Sequence, residues 1–182
     1  MKTSSKKINR ESGFTLIELI ASLVIFALMF TLAGMGIVVA AKGYMITKES
    51  AHMAQKAQIA MARINRELLE ITDIAAVSAT QIIYDHMDGR KAIAKDGSVV
   101  RMFFNLGGAE TLSDLSAGDI LIDNVTQFTL TYHKSDLSSW VFGTDDIKDL
   151  SSVEVEIVMS REDSGVGDKT FQTTVKPRNT LR

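Results

Sequence analysis

Glu18 is the residue whose position most needs a chemical reason. It is the one ionisable group between Phe14 and Ala41, in a run reading FTLIELIASLVIFALMFTLAGMGIVVAA. A carboxylate at mid-membrane costs on the order of 2.5–3.5 kcal/mol, less near the interface, so it normally has a partner or a use. Elsewhere the residues able to do chemistry are dispersed. His52, His86 and His133 are scattered without an HExxH spacing, so each reads as a surface or packing histidine before it reads as a zinc ligand. Gly165-Val166-Gly167-Asp168-Lys169 lacks the GxxxxGK[ST] pattern of a phosphate loop and reads as a turn between strands. Thr144-Asp145-Asp146-Ile147-Lys148-Asp149 offers carboxylates, but not at EF-hand spacing, and turn or helix-cap chemistry explains it better than calcium. There is no GxSxG, and the sequon Asn124-Val125-Thr126 falls in a predicted strand. Trp140, beside Val141 and Phe142, is expected in the core rather than at an exposed contact. The residues yield no catalytic set, no metal ligands and no cofactor site, so the chain reads as something other than an enzyme.

The elements that position Glu18 come from a composition with a strong internal asymmetry. The 182 residues carry 20 Lys+Arg against 22 Asp+Glu, a formal charge of −2, with one Pro and no Cys. A disulfide scaffold, thiolate metal sites and a cysteine nucleophile are excluded, and the acidic balance offers no overall footprint for nucleic acid. The first thirteen residues, MKTSSKKINRESG, hold Lys2, Lys6, Lys7 and Arg10 against Glu11. From Leu19 to Ala41 there is no charge at all. As a helix that uncharged stretch spans about 34 Å, enough for a hydrocarbon core of about 30 Å. One membrane crossing is expected, with the basic head in the cytoplasm and everything after Lys42 on the far side. A secretory signal peptide cleaved after Val39-Ala40-Ala41 is the rival, but its apolar core would be only about 7–15 residues. A plain single-pass anchor fits the length and leaves Glu18 unexplained.

Ser12-Gly13-Phe14-Thr15-Leu16-Ile17-Glu18-Leu19-Ile20 resembles the N-terminal signature of prepilin-like proteins, the type IV pilins and the pseudopilins of type II secretion. The resemblance implies that residues 1–13 are a leader, that a prepilin peptidase cuts between Gly13 and Phe14, and that Phe14 is then N-methylated. The apolar segment would stay with the mature chain. Glu18 would pair with the new amine on Phe14 of a neighbouring subunit and set axial register, a role consistent with the strong attraction of opposite charges in low dielectric. Snorkelling of Glu18 to the headgroups is the bland alternative. The implied partners are the peptidase, other pilin or pseudopilin subunits along the N-terminal helix, and an inner-membrane assembly platform. Many members of the family have a proline about twenty residues into the mature helix. Here Ala33-Gly34-Met35-Gly36 stands in that neighbourhood, as a soft point or a small-residue packing surface.

Beyond the membrane, residues 42–75 read as an amphipathic helix continuing the apolar one. Its stripe is Ile46, Met53, Ala57, Ala60, Ile64, Leu68 and Ile71. Together they predict a spine of some 60 residues, about 90 Å at helical rise. The stripe suits packing on a sheet, with a coiled-coil dimer as the rival. Residues 76–182 read as an antiparallel β-rich head: runs at Gln81–Tyr84, Arg90–Ala94 and Val99–Phe104 with turns at Asp88-Gly89 and Asp96-Gly97, then Ile120–Ile122, Phe128–Tyr132, Val153–Met159 and Phe171–Val175. One face should be buried and one wet. The run Asn124 to Tyr132, Trp140, the strand Ser152–Met159 and the end Phe171…Pro177-Arg178-Asn179 look like the heads of minor pilins of the W type and J-type pseudopilins, more loosely than the N-terminus does. The expected fold is α+β and pilin-like. The expected function is that of a minor pilin or pseudopilin in a type IV pilus or type II secretion pseudopilus. The alternative is a single-pass inner-membrane protein whose periplasmic head binds a ligand or senses a signal.

Overall fold

A computed structural model describes residues 13–112, 114–161 and 166–178. One long helix, α1 (Leu16–Leu69, 54 residues), is followed by eight strands in two antiparallel sheets. The protein is α+β, with a long helix whose first part is apolar and a β-rich head, consistent with a pilin-like fold. The chain divides into two units, Met1–Met45 and Ile46–Arg182.

In the first unit the large apolar side chains from Phe14 to Val39 are all exposed. Seventeen such side chains are involved. At ~1.5–3 kcal/mol each, leaving them in water costs on the order of 25–50 kcal/mol, so this surface needs lipid or other apolar helices. The helix is long and apolar enough to cross a membrane. Its few polar side chains are satisfied from within, the Ser22 hydroxyl donating to the Leu19 carbonyl at 2.9 Å and the Thr31 hydroxyl to that of Ala27 at 2.7 Å. Helical geometry continues through Gly34 and Gly36.

In the second unit Met53, Ala57, Ala60, Ile64 and Leu68 are at most 2% exposed and lie one above the other on the helix. This stripe is covered by the chain's own sheets, leaving none for the coiled-coil alternative. The predicted helix is too long at its far end. α1 stops at Leu69, not near residue 75, and Ile71 belongs to β1 (Ile71–Ser78), a strand absent from the sequence reading. Ile46, predicted in the stripe, is 43% exposed. The last turn tightens, the amide of Glu70 donating to the Glu67 carbonyl at 3.4 Å, and the β-branched Ile71, Thr72 and Ile74 then favour an extended chain.

The first sheet runs β1, β2 (Gln81–His86), β3 (Gly89–Asp96), β4 (Val99–Phe103), β5 (Asp119–Ile122), all neighbours antiparallel. The second runs β6 (Val125–His133), β7 (Ser152–Arg161), β8 (Val166–Val175). At the β3–β4 hairpin, Gly97 takes the first loop position with φ 56°, where a side chain would be strained. The inner faces of both sheets and the α1 stripe form one core, with Tyr84, Phe128, Ile157 and Met159 among its largest fully buried residues. The second sheet has the expected single buried face. The first has two. On its other side Ile83, Ala92, Ala94 and Phe103 are covered by Leu106, Leu112 and Leu115 from the connection to β5. Gly118 closes that cover, since a Cβ there would sit 2.7 Å from the Phe103 ring.

A buried ion pair ties α1 to β3. Lys91 Nζ donates to Glu67 Oε2 at 2.9 Å, with side chains 10% and 9% exposed. Two cations lie over the Phe104 ring, Arg63 at 5.8 Å and Lys91 at 5.7 Å from its centroid.

Candidate functional site

The start of α1 gathers the predicted site residues. Gly13, Phe14 and Thr15 precede the first helical residue, Leu16, and Phe14 is 80% exposed. The other leader residues, 1–12, lie outside the described residues. The Thr15 carbonyl accepts from the Leu19 amide at 3.2 Å, the first bond of the helix, so Thr15 is the N-cap. Its hydroxyl accepts from the Glu18 amide at 3.3 Å. In return Glu18 Oε2 accepts from the Thr15 amide at 3.3 Å and from the Thr15 hydroxyl at 3.2 Å. This is a reciprocal capping box, T-x-x-E, satisfying two of the amides that a helix start leaves without partners. The carboxylate also lies in the first turn, where the helix dipole favours negative charge.

Glu18 therefore has a local partner that the sequence reading did not assign. The signal was present, since Thr15-Leu16-Ile17-Glu18 before an apolar run is the capping-box pattern. Among the described residues the capping bonds use Oε2 alone, leaving Oε1 for a second donor. The geometry holds one carboxylate beside the Thr15 amide, one residue on from Phe14.

The remaining candidates do not converge. His52 is exposed on α1. His86 Nε2 lies 3.1 Å from Glu70 Oε2 while its Nδ1 accepts from the Asp88 amide at 3.2 Å. His133 faces Glu154 at 3.5 Å. Among the described residues no group of three or more His, Cys, Asp or Glu is placed to hold a metal. The acidic run after Thr144 does turn and cap work: Asp145 accepts from the Lys134 ammonium and the Val141 amide, each at 2.8 Å, and Asp146 caps a 3-10 turn by accepting from the Lys148 amide at 3.0 Å. Lys134 in consequence holds the Asp145 carboxyl below its ordinary range. Trp140 is 6% exposed and donates to the Asp146 carbonyl at 2.8 Å, whereas Val141 and Phe142 are exposed. Asn124 lies in the bend before β6 with φ 58°, not in a strand. Gly167–Lys169 lie within β8, so the predicted turn is corrected there: Val166 and Lys169 pair with Arg161 and Met159 of β7 across a register shift, and Gly165 falls outside the described residues.

A capped, carboxylate-bearing start to an exposed apolar helix long enough to cross a membrane, followed by an antiparallel head, gives an α+β protein whose candidate chemistry lies at one helix end. Residues 8–34 match the family model described as the prokaryotic N-terminal methylation motif. The match covers 27 of the 182 residues and supports a type IV prepilin-like protein. No curated protein matches it.

Proposed function

We propose that the protein is a filament subunit, a minor pilin or pseudopilin that assembles into, initiates or caps a type IV pilus or type II secretion pseudopilus. The observation that carries this reading is the reciprocal Thr15–Glu18 cap at the head of an apolar helix that carries the methylation motif. A prepilin peptidase would cut between Gly13 and Phe14 on the cytoplasmic side, and Phe14 would be methylated. The mature chain would stand in the inner membrane with residues 14–41 in lipid and the head in the periplasm. The lost leader carries Lys2, Lys6, Lys7 and Arg10 against Glu11, so processing makes the chain more acidic.

Assembly is then an exchange of surroundings. The apolar surface leaves lipid only as neighbouring spines, delivered by an inner-membrane assembly platform, replace it, so burial is nearly balanced and shape and charge decide register. The cap presents Glu18 at a fixed height, and the Phe14 amine of an arriving subunit is the cation that suits it. In low dielectric an unpaired carboxylate there is heavily penalised, which makes the pair a register device more than a source of net stability.

The cap and the pair are separable by Glu18→Gln, because glutamine serves a capping box as glutamate does while carrying no charge. Filament incorporation is expected to be lost in Glu18→Gln and Glu18→Ala alike. Incorporation that survives Glu18→Gln and fails in Glu18→Ala would assign Glu18 to the cap and overturn the pairing.

A further inference from the structure

We propose that the head carries a complementary pair of docking surfaces through which one copy of this chain binds a second, head to tail. The first surface is the outer side of α1 in the head. Between Ser50 and Arg66 the helix has no acidic residue, although the chain as a whole is acidic. His52, Gln55, Ile59, Ala62, Arg63 and Arg66 are exposed there on one face, opposite the buried stripe, with Ile59 at 64%. The charges on this face are only partly answered. Lys56 pairs with Asp123 at 2.8 Å, Arg63 lies over Phe104, and Arg66 is 3.9 Å from Glu67, which is already held by Lys91.

The second surface is the outer face of the β6–β7–β8 sheet. Along β7 it presents Val158, Glu156 and Glu154, each flanked by Thr or Gln on β6 and β8 in register. No Lys or Arg stands in those three rows. Glu156 accepts weakly from Gln127 at 3.4 Å and from Gln172 at 2.6 Å, and Glu154 faces His133 at 3.5 Å.

The two faces agree in spacing as well as in sign. On α1, Arg63 and Arg66 lie about 6 and 10.5 Å along the axis from Ile59. On β7, Glu156 and Glu154 lie about 6.7 and 13 Å from Val158. Seating Ile59 on Val158 brings Arg63 onto Glu156 and Arg66 onto Glu154, with a mismatch well within an arginine's reach. A polar sheet face receives a helix face of Ala and Gln with one apolar anchor and two cations. The surfaces are different, so the contact is heterologous, the kind that builds an open filament wherever its rotation does not close a ring. The inference rests on the filament reading for its biological setting and asks in addition that copies of this chain be neighbours.

The chain has no cysteine, which makes thiol crosslinking clean. Two differently tagged copies of the full chain are co-expressed in one membrane, one with Ala62→Cys and the other with Thr129→Cys, and treated with a short bismaleimide. A mixed dimer is expected, well above the yield from Ala62→Cys with Met87→Cys, the latter position being 82% exposed on another part of the head. Arg63→Glu with Arg66→Glu in the first copy is expected to lower the yield about tenfold. Adding Glu154→Arg with Glu156→Arg to the second copy restores it. A yield no higher than the control pair, or one indifferent to the charge reversals, overturns the docking contact. The N-terminal mass of the same membranes separates the two ideas: processed chains without the crosslink lose the contact alone, whereas crosslinked but unprocessed chains keep the contact and lose the filament reading.

Discussion

Removing Lys91 tests the junction between helix and sheet on which the head depends. Lys91→Met keeps the length of the stem and deletes the ammonium 2.9 Å from Glu67, whose side chain is only 9% exposed. Breaking a buried pair by removing one partner typically costs about 3–5 kcal/mol, because the remaining charge has neither water nor a counterion. Phe104 loses one of its two cations as well, which adds up to about 1 kcal/mol. Replacing both members, Lys91→Met with Glu67→Met, is expected to recover most of the loss, since an apolar pair of similar volume is often neutral. The assay is thermal unfolding of the full chain in detergent, followed by the emission of Trp140, the single tryptophan, which is buried in the head. The single variant should melt roughly 10–20 °C lower. A fall of less than about 3 °C, or a double variant as damaged as the single one, would show that Glu67 finds other compensation and that this pair does not fasten α1 to β3.

Thr15→Val removes the hydroxyl of the capping box and leaves the Thr15-position amide able to donate to Glu18; hydrogen exchange at the Leu19 amide should rise about fivefold, matching a cap of about 1 kcal/mol, while exchange beyond Leu28 stays unchanged. Acid should destabilise the head through carboxylates held below their ordinary range, Asp85 by its hydrogen bonds from Arg90 and Asp145 by those from Lys134 and the Val141 amide. For groups depressed in the folded state the stabilisation is complete above the unfolded value near 4 and is lost as pH falls through the lower folded value. The melting temperature should thus be flat from pH 7 to about 5 and fall below about 4, with a shallower fall in Asp85→Asn. At the other extreme, burial pushes the hydroxyls of Tyr84 and Tyr132 upward, so spectrophotometric titration should find them silent until the head unfolds.

The parts of the fold legible in the sequence are those whose pattern has one meaning. A long uncharged run, a four-and-three apolar stripe and the alternation Val153, Val155, Ile157, Met159 each admit one element, and the structure has α1 and β7 there. β1 was illegible because Ile71 and Ile74 follow Leu68 at helical steps, with no Gly or Pro between, so periodicity extended the helix where β-branching ended it. The second cover on the first sheet was hidden because Leu106, Leu112 and Leu115 stand singly in a polar connection and gain meaning only when folded onto Ile83 and Phe103. At the N-terminus the motif pointed to Glu18 and to a partner outside the chain. The nearer partner, Thr15, is visible only when the four residues are read as a helix start. The basic face of α1 was missed because that helix was read for its apolar stripe, and the absence of acid from Ser50 to Arg66 was not weighed.

The most direct measurement is the mass of the N-terminal peptide of the protein recovered from membranes. A chain that begins at Phe14 with a methylated amine is expected. A chain that still carries Met1 to Ser12, or a soluble product that begins near Ala41, would contradict it.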